Sequence, residues 1–160
     1  MQQAVTQESE RITSDVPSDA LNRVRESFDR QGLMATLDAK LTEVSPGLVR
    51  IRMPYSRSVT QQHGYFHAGA TSSIADSAGG YAGFTLFPEG SSVLTVEFKI
   101  NLVAPAQGEY LEATGKVLRS GRTLTICQLE VHALDGEERT LVALGQQTLI
   151  CMHGRPDPEA

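Results

Sequence analysis

A single acidic side chain lies in the middle of a segment built almost entirely from small residues, QQHGYFHAGATSSIADSAGGYAG at positions 61–83. Asp76 is the only charged side chain between residues 68 and 88, and its neighbours one helical turn away are serines and glycines. Each interior glycine costs a helix about 1 kcal/mol relative to alanine, so stability alone does not explain this composition. The pattern predicts that another backbone or a narrow ligand approaches the helix beside the Asp76 carboxylate, a group able to act as base or nucleophile.

The loop that enters this helix adds polar groups suited to the same chemistry. Gly64 interrupts the stretch 61–69, which places the start of the helix near His67. The first turn of a helix presents free N–H groups and a positive dipole end, which stabilise an oxygen that becomes anionic during a reaction. The side-chain amide of Gln61 can hold a water molecule. The segment therefore supplies an acid or base, an oxyanion site and a water-positioning group.

A short helix is predicted near the start of the chain. In the sequence PSDALNRVRESFDRQG, Leu21, Val24 and Phe28 share one helical face. Gly32 follows the last of these residues and predicts the end of the helix.

Two-residue periodicity predicts six strands. The first two are at 33–42 and 48–56, joined by the turn SPG into a β-hairpin. Four more follow residue 88, and short connections between them predict an antiparallel meander. These connections are at 105–108, 120–121 and 135–136. In the first of these four strands, alternation predicts one shared apolar face made by Leu94, Val96, Phe98, Ile100 and Leu102.

The order of these elements predicts an α+β fold. An antiparallel six-stranded sheet is wrapped around one long central helix, with the short N-terminal helix added to it. We expect residues 17–152 to form this single domain. The polar segment 1–16 and the tail 153–160 are expected to be flexible.

The loop and the central helix together resemble the hot-dog fold thioesterases of the phenylacetate-pathway (PaaI) type. The family pattern is an amide residue, a glycine, a His-Gly/Ala-Gly triplet and a helical Ala-Asp whose aspartate lies nine residues after the histidine. The matching residues here are Gln61, Gly64, His67, Ala68, Gly69 and Asp76. The resemblance extends from about residue 34 to residue 152. Two positions depart from the usual pattern: Ala68 replaces a glycine but keeps its N–H, and Gln61 replaces an asparagine one methylene shorter.

The resemblance implies hydrolysis of an acyl-coenzyme A thioester to the free acid and coenzyme A. It assigns Asp76 as general base or nucleophile at a dimer interface, with loop residues contributed by the neighbouring protomer. The backbone N–H of Ala68, with Gly69 beside it, would polarise the thioester oxygen. Gln61 would orient water or the carbonyl, and His67 would fix the loop around the carboxylate. Thr95 falls where the family often carries a Ser or Thr near the catalytic acid, and no cofactor is implied.

Two arginines flank a predicted hairpin tip in the sequence LRSGRT. Arg119 and Arg122 could form an ordinary solvated turn. They could also bind the phosphates of coenzyme A, which would supply a local positive charge on an acidic protein.

Composition excludes several other classes of partner. The net charge of −5 and pI of about 5.3 argue against nucleic-acid binding. No window is apolar enough for a membrane span, and the start of the chain lacks a signal-peptide pattern. The two scattered cysteines do not form a disulfide framework. We therefore expect a cytoplasmic protein. His63 and His67 are separated by Gly64 and have no further ligand nearby, so no metal site is expected. The family resemblance implies a homo-oligomer, either a dimer or a dimer of dimers.

Two alternative functions on the same fold remain open at this point. A non-catalytic acyl-CoA-binding module, acting as sensor or carrier, would keep the loop and groove but would not need Asp76. A dehydratase or hydratase would use His67 with a carboxylate, although the spacing of His67 and Asp76 fits the thioesterase pattern better. Release of free thiol from acyl-CoA esters distinguishes the hydrolase from both.

Overall fold

The computed structural model describes residues 18–158, and the predicted segment 1–16 lies outside them. The described chain forms three α-helices and a six-stranded antiparallel sheet in the order β1-β2-β4-β5-β6-β3. The helices are α1 (Ser18–Asp29), α2 (Gly32–Thr36) and α3 (Ala68–Phe84). The strands are β1 (Lys40–Ser45), β2 (Leu48–Pro54), β3 (Ser92–Leu102), β4 (Tyr110–Ser120), β5 (Leu124–Asp135) and β6 (Glu138–Met152). The predicted α+β architecture, with one long helix wrapped by the sheet and a short N-terminal helix, is confirmed. No helix within 18–158 has the length and apolar character needed to cross a membrane.

Helix α1 packs against the end of the central helix through the face predicted from its sequence. Val24 and Phe28 are buried. Arg23 donates hydrogen bonds to the carbonyl oxygens of Phe84 and Phe87, at 3.3 and 2.8 Å. Phe84 is the last residue of α3 and Phe87 lies in the turn after it, so the Arg23 guanidinium caps this end of the helix and complements its negative dipole.

The predicted strand at 33–42 is wrong in its first half, because residues 32–36 form α2. Met34 is buried in the core. Asp38, at a φ of 50°, closes the helix, and the Ala39 N–H donates to the Met34 carbonyl at 2.9 Å. This bond and the left-handed residue form a Schellman motif. In a stretch this short, an alternating pattern also places apolar residues one helical turn apart, so it fits a helix as well as a strand. Alanine in this stretch also favours helix over strand.

The hairpin of β1 and β2 is confirmed. Its turn is at Pro46–Gly47, where Gly47 has a φ of 71°. Val49, Ile51 and Met53 alternate along β2 and are fully buried against α3. Alternation therefore identified the core face of this strand correctly.

The predicted meander holds for β4, β5 and β6 but is wrong for β3. Strand β3 pairs with β6 at the edge of the sheet, whereas β4 pairs with β2 and β5. The connection at 103–109 therefore crosses three strand spacings, roughly 14 Å, and its seven residues span up to roughly 23 Å when extended. A connection of that length can join β3 to β4 whether the two strands are adjacent or three spacings apart. The length of the connection therefore did not distinguish the two topologies.

A β-bulge in β3 overturns the predicted apolar face of that strand. The register shifts between Thr95 and Glu97, so that Leu94 faces Ile150 and Phe98 faces Gln147. Directly opposed residues share a face, and residues 147 and 150 of β6 point to opposite faces. Leu94 and Phe98 therefore lie on opposite faces of the sheet. The extra residue also turns the Thr95 side chain toward α3.

The small residues of α3 and β4 allow the helix and the sheet to approach closely. Ile74 and Ala78 are fully buried. A Cβ on Gly115 of β4 would lie 2.3 Å from the backbone carbonyl of Ala78, and a Cβ on Gly79 would lie 1.9 Å from Oε1 of Gln147. The predicted close approach beside Asp76 is thus made by the backbone of β4 and by a side chain of β6.

The outer face of the sheet carries a buried carboxylate held by two cations. Glu112 is only 4% exposed, and its oxygens lie 2.8 Å from Arg52 Nη2 and 2.7 Å from Arg139 Nη1. Burial alone would raise the pKa of Glu112, but the hydrogen bonds and charges of the two arginines outweigh it and lower the pKa below its ordinary value. This cluster links β2, β4 and β6 on the side away from α3.

The described part of the C-terminal tail, residues 153–158, returns to α1. The Asp157 carboxylate accepts a hydrogen bond from the Ser27 hydroxyl and lies 3.6 Å from Arg30 Nη2. The flexibility expected for 153–160 stays a prediction. The contacts of Asp157 nevertheless bring this carboxylate to the surface between α1 and α3.

Candidate functional site

Asp76 lies on α3, half-buried, with its carboxylate fixed by two donors. Thr95 Oγ1 donates to Asp76 Oδ1 at 2.7 Å, and Gln147 Nε2 donates to the same oxygen at 2.6 Å. Gln147 Nε2 also lies 3.1 Å from the Asp76 carbonyl and 3.0 Å from Thr95 Oγ1. The predicted proximity of Thr95 and Asp76 is therefore present in the structure.

Gln147 is a site residue that the sequence reasoning missed. Its position in the strand LGQQTLICM places it on the inner face with Leu149 and Cys151, and it is fully buried. A polar residue at a core position of an alternating strand was the signal that could have identified it, because buried amides need partners. Its Oε1 is buried and has no hydrogen-bond partner within residues 18–158. That oxygen points toward Gly79, where only a glycine leaves room for it.

The two donors leave one carboxylate oxygen of Asp76 available. Both bonds end on Oδ1, and Oδ2 accepts no hydrogen bond from the described residues. The two bonds hold the carboxylate in place, and Oδ2 is left to remove a proton or attack a carbonyl. The site thus holds an oriented carboxylate with a free basic oxygen.

A cavity of about 590 Å³ opens beside this oxygen, between α1, α3 and the first half of β3. Its lining residues are Ser27, Arg30, Gln31, Asp76, Ser77, Gly80, Tyr81, Val93, Leu94, Thr95, Asp157 and Pro158. Near Asp76 the wall includes the apolar residues Val93 and Leu94 of β3. Gly80 keeps the wall open, since nothing lies within 4 Å of where its Cβ would be. The cavity is large enough for an acyl group of ordinary size.

The opposite end of the cavity is polar. Ser27 Oγ lies 3.2 Å from the Tyr81 hydroxyl, and Ser77 Oγ donates to Gln31 Oε1 at 3.1 Å. Burial raises the pKa of Tyr81, the hydrogen bond with Ser27 opposes this, and the Asp157 carboxylate raises the pKa further. The Tyr81 hydroxyl therefore stays protonated and available as a donor.

The start of α3 has the free N–H group that the sequence predicts, although one of the two predicted donors is occupied. The Gly69 N–H donates to Nδ1 of His67, the N-cap residue, at 2.8 Å. The Ala68 N–H has no acceptor within residues 18–158. Gln61 uses its side-chain oxygen to accept the backbone N–H of His63 and so shapes its own loop.

The structure does not bring this loop together with Asp76 inside one chain. Ala68 and Asp76 are eight residues apart on α3, which separates them by about 12 Å along the helix axis. Gln61, His67 and Ala68 do not line the cavity beside Asp76. The predicted site residues therefore form two groups, one around Asp76 and one at the start of α3.

Arg119 and Arg122 lie at and beyond the end of β4, on the hairpin that leads into β5, and both are exposed. The hairpin is joined to β6 by the bond from the Cys151 N–H to the Thr123 carbonyl, at 2.9 Å. Cys151 in turn faces Val93, a wall residue of the cavity. The two arginines are therefore at the end of the sheet where the cavity lies, two to three strand spacings (~10–14 Å) from β3.

Comparison with known proteins agrees with the fold. A model of the thioesterase superfamily matches residues 63–140, the range that contains the loop, α3, β3 and β4. A solved thioesterase family protein from Silicibacter pomeroyi is 44% identical, covers 84% of this chain and 99% of its own, and superposes with a TM-score of 0.83. The proofreading thioesterase EntH of Klebsiella pneumoniae is 25% identical over 117 residues, 73% of this chain and 85% of its own.

The PaaI protein of Escherichia coli, from the phenylacetic acid degradation operon, shares the fold with this chain. It is 18% identical, superposes with a TM-score of 0.78, and the match covers 88% of this chain and 99% of that protein. The resemblance noted from the loop and helix residues is confirmed by these relatives. The chain belongs to the thioesterase superfamily and is a thioester hydrolase with the hot-dog fold.

Proposed function

We propose that the protein hydrolyses an acyl-coenzyme A thioester to the free acid and coenzyme A, with Asp76 as general base or nucleophile. The observation that carries the proposal is the free Oδ2 of a fixed carboxylate at the wall of a cavity sized for an acyl group. Half-burial of Asp76 and its two donors hold the carboxylate in one orientation at this wall. Preorientation of this kind is a main source of catalytic rate.

Both routes open to Asp76 give the same products. As a base, Asp76 takes a proton from water, and the resulting hydroxide adds to the thioester carbon. As a nucleophile, Oδ2 adds to that carbon, expels the thiolate and forms an anhydride, which water then hydrolyses. In each route the carbonyl oxygen becomes negative, the carbon–sulfur bond breaks, and the coenzyme A thiolate takes up a proton.

The oxyanion donor in this proposal is the Ala68 N–H of a second copy of the chain. Within one chain that N–H lies about 12 Å from Asp76 along α3, too far to act on the same carbonyl. A two-fold dimer can place the loop of one protomer over Asp76 of its partner. In this arrangement Gln61 orients the water or the carbonyl, and His67 fixes the first turn of the helix. The N–H of Gly69 serves His67 and supports the oxyanion site indirectly.

The edge strand β3 is the surface that supports such a dimer. Among the strands of residues 18–158 it pairs with β6 on one side only, and its apolar side chains Leu94, Val96 and Phe98 are exposed by 57, 57 and 42%. An unpaired edge that carries exposed apolar side chains is a surface at which a second strand adds readily. Thr95 lies in the same strand, so pairing through β3 would bring the partner close to Asp76.

Mixing two inactive variants tests whether the site is shared between protomers. Asp76→Asn and Gln61→Ala are each expected to be inactive as homodimers. After dissociation and reassociation of an equal mixture, about a quarter of the sites would combine an intact Asp76 with an intact Gln61, because mixed dimers carry one such site each. Recovery of activity on mixing supports the shared site, whereas no recovery from mixed dimers of demonstrated composition contradicts it.

Arg119 and Arg122 are proposed to bind phosphate groups of coenzyme A. Both guanidinium groups are exposed at the end of the sheet that carries the cavity, and arginine binds phosphate through paired charge-assisted hydrogen bonds. Replacing both with glutamine should raise KM for acyl-CoA thioesters. The same substitution should leave KM unchanged for acyl-N-acetylcysteamine thioesters, which lack the phosphates.

Release of free thiol from a panel of short, long and aromatic acyl-CoA esters tests the proposed activity. The panel should include at least one ester that is hydrolysed with saturation kinetics. Binding of an ester without thiol release would contradict the proposal and favour a sensor or carrier. A cytoplasmic location is part of the proposal, and it agrees with the two buried free thiols Cys127 and Cys151.

A further inference from the structure

The cavity beside Asp76 has two chemically different ends. The end nearer Asp76 has Val93 and Leu94 in its wall, whereas the far end is formed by side chains of α1 and by Tyr81. At the far end Ser27 and Tyr81 supply hydroxyl groups, and Arg30 supplies a positive charge. A plain alkyl chain that filled the cavity and displaced Asp157 would leave Ser27 and Arg30 without water or that partner, which costs binding energy.

The far end already holds a carboxylate that belongs to the chain itself. Asp157 accepts the Ser27 hydroxyl and lies 3.6 Å from the Arg30 guanidinium. The Asp157 side chain is 24% exposed and the Arg30 side chain 36% exposed, so the pair is partly withdrawn from water. The tail that carries Asp157 runs on from the end of β6, and Pro158 lines the cavity with it.

The donors around this position suit a carboxylate better than a neutral group. The Ser27 hydroxyl donates to Asp157 and the Tyr81 hydroxyl to Ser27 Oγ, so departure of Asp157 leaves the Ser27 proton for an added acceptor. Arg30 offers several N–H donors and carries a permanent charge. Asp157 is the only carboxylate besides Asp76 in the wall of this cavity, and it belongs to the tail rather than to a helix or strand.

We propose that the far end is a carboxylate subsite that selects acyl groups ending in a free carboxylate, the monothioesters of dicarboxylic acids, and that Asp157 occupies the subsite until such a substrate displaces it. This inference rests on the proposed acyl-CoA hydrolysis. Asp76 and Tyr81 are five residues apart on α3, about 7.5 Å along the axis, which suits a dicarboxylic acid of about four to six carbons. The thioester end would lie at Asp76 and the free carboxylate at Arg30 and Ser27.

Two matched substrates test the subsite. Hexanoyl-CoA and adipyl-CoA have acyl chains of equal length and differ only in the terminal carboxylate. The measured quantity is the ratio of their kcat/KM values in one preparation, so that any loss of folded or active protein cancels. We expect the wild-type ratio to favour adipyl-CoA by about tenfold, the scale of one charge-assisted hydrogen-bonded pair at a partly exposed site.

Three variants assign the preference to named groups. Arg30→Gln should reduce the ratio to about one, because it removes the positive charge but keeps a polar side chain of related shape. Asp157→Asn should raise the ratio severalfold, because the internal competitor loses its charge. Arg25→Gln is the matched control, since Arg25 is an arginine of the same helix that donates to the Leu21 carbonyl and does not line this cavity. The ratio of this control should equal that of the wild type.

The outcomes separate this inference from the proposed function. Hydrolysis of hexanoyl-CoA with a ratio near one, unchanged by Arg30→Gln, would overturn the carboxylate subsite and leave the thioesterase proposal standing. A preference for 6-hydroxyhexanoyl-CoA over adipyl-CoA that does not depend on Arg30 would also overturn it, in favour of a hydroxyl-binding end. Failure to hydrolyse any ester of the panel would overturn the proposed function and this inference together.

Discussion

Two adjacent glycines of α3 provide a matched test of how the site is packed. A Cβ added at Gly79 would lie 1.9 Å from Oε1 of Gln147 and 2.5 Å from a methyl carbon of Leu129. A Cβ added at Gly80 would have nothing within 4 Å. Both positions are interior to the same helix, so Gly79→Ala and Gly80→Ala gain the same helix propensity, about 1 kcal/mol. Any difference between the two variants therefore reports the contacts of the added methyl group.

The contacts at Gly79 do not relax freely. The Gln147 side chain is fully buried, and its Nε2 is bonded to Asp76 and Thr95, so moving its oxygen away breaks those bonds. Overpacking of a core costs about 1–3 kcal/mol, and each lost hydrogen bond to a charged group adds about 1.5–3 kcal/mol. After the gain in propensity, we expect Gly79→Ala to lower the free energy of unfolding by about 1.5–5 kcal/mol. Gly80→Ala should raise it by up to about 1 kcal/mol.

Urea unfolding followed by circular dichroism measures both variants against the wild type. Equal slopes in the three transitions would show that the unfolding reaction itself is unchanged. Because displacement of Gln147 releases Asp76, thiol release by Gly79→Ala should also fall, by about tenfold. A Gly79→Ala variant as stable as Gly80→Ala would refute the packing of Gln147 against the helix.

Two further substitutions test the hydrogen-bonded groups around the Asp76 and Glu112 carboxylates. Gln147→Leu removes the amide donors to Asp76 and puts an apolar side chain in the core. Because Gln147 acts on the substrate only through Asp76, we expect kcat to fall by about tenfold while KM changes little. Steady-state kinetics of thiol release measure both constants. A large rise in KM together with the fall in kcat would instead place Gln147 in substrate binding. Glu112 has a folded-state pKa below the unfolded value of 4.5, so its contribution to stability is complete above that value and is lost as the pH falls through the folded pKa. Glu112→Gln should therefore lose about 1–3 kcal/mol of stability at neutral pH, and the difference from the wild type should shrink as the pH falls below 4.5, as measured by urea midpoints. A difference that stays constant as the pH falls would show that the two arginines do not set the pKa.

The elements with long or regular patterns were predictable from the sequence. The small-residue helix, the β1–β2 hairpin and the Asp-Gly turn at 135–136 follow from local periodicity and turn chemistry, and all are present. The pairing of Thr95 with Asp76 followed only from the family resemblance. Strict alternation along β3 would have placed Thr95 on the face away from Phe98, and the bulge at Val96 moves both onto the helix side.

The features that sequence could not provide are those decided by tertiary packing. Strand β3 lies beside β6 because the sheet curves around α3, and no local signal marks that pairing. Residues 32–36 form a helical turn because Met34 is buried on the core side, which overrides a short alternating pattern. Gln147 was missed because its role depends on two residues, Asp76 and Thr95, that are distant in sequence.

Asp76→Asn tests the central claim most directly. The asparagine keeps an Oδ1 that accepts the hydrogen bonds of Thr95 and Gln147, so the fold and its thermal unfolding should be unchanged while the basic oxygen is lost. We predict that thiol release from the best acyl-CoA substrate falls by about 10²–10⁴-fold. Turnover of that substrate by the folded Asn variant at the wild-type rate would contradict the assignment of Asp76 as the catalytic group.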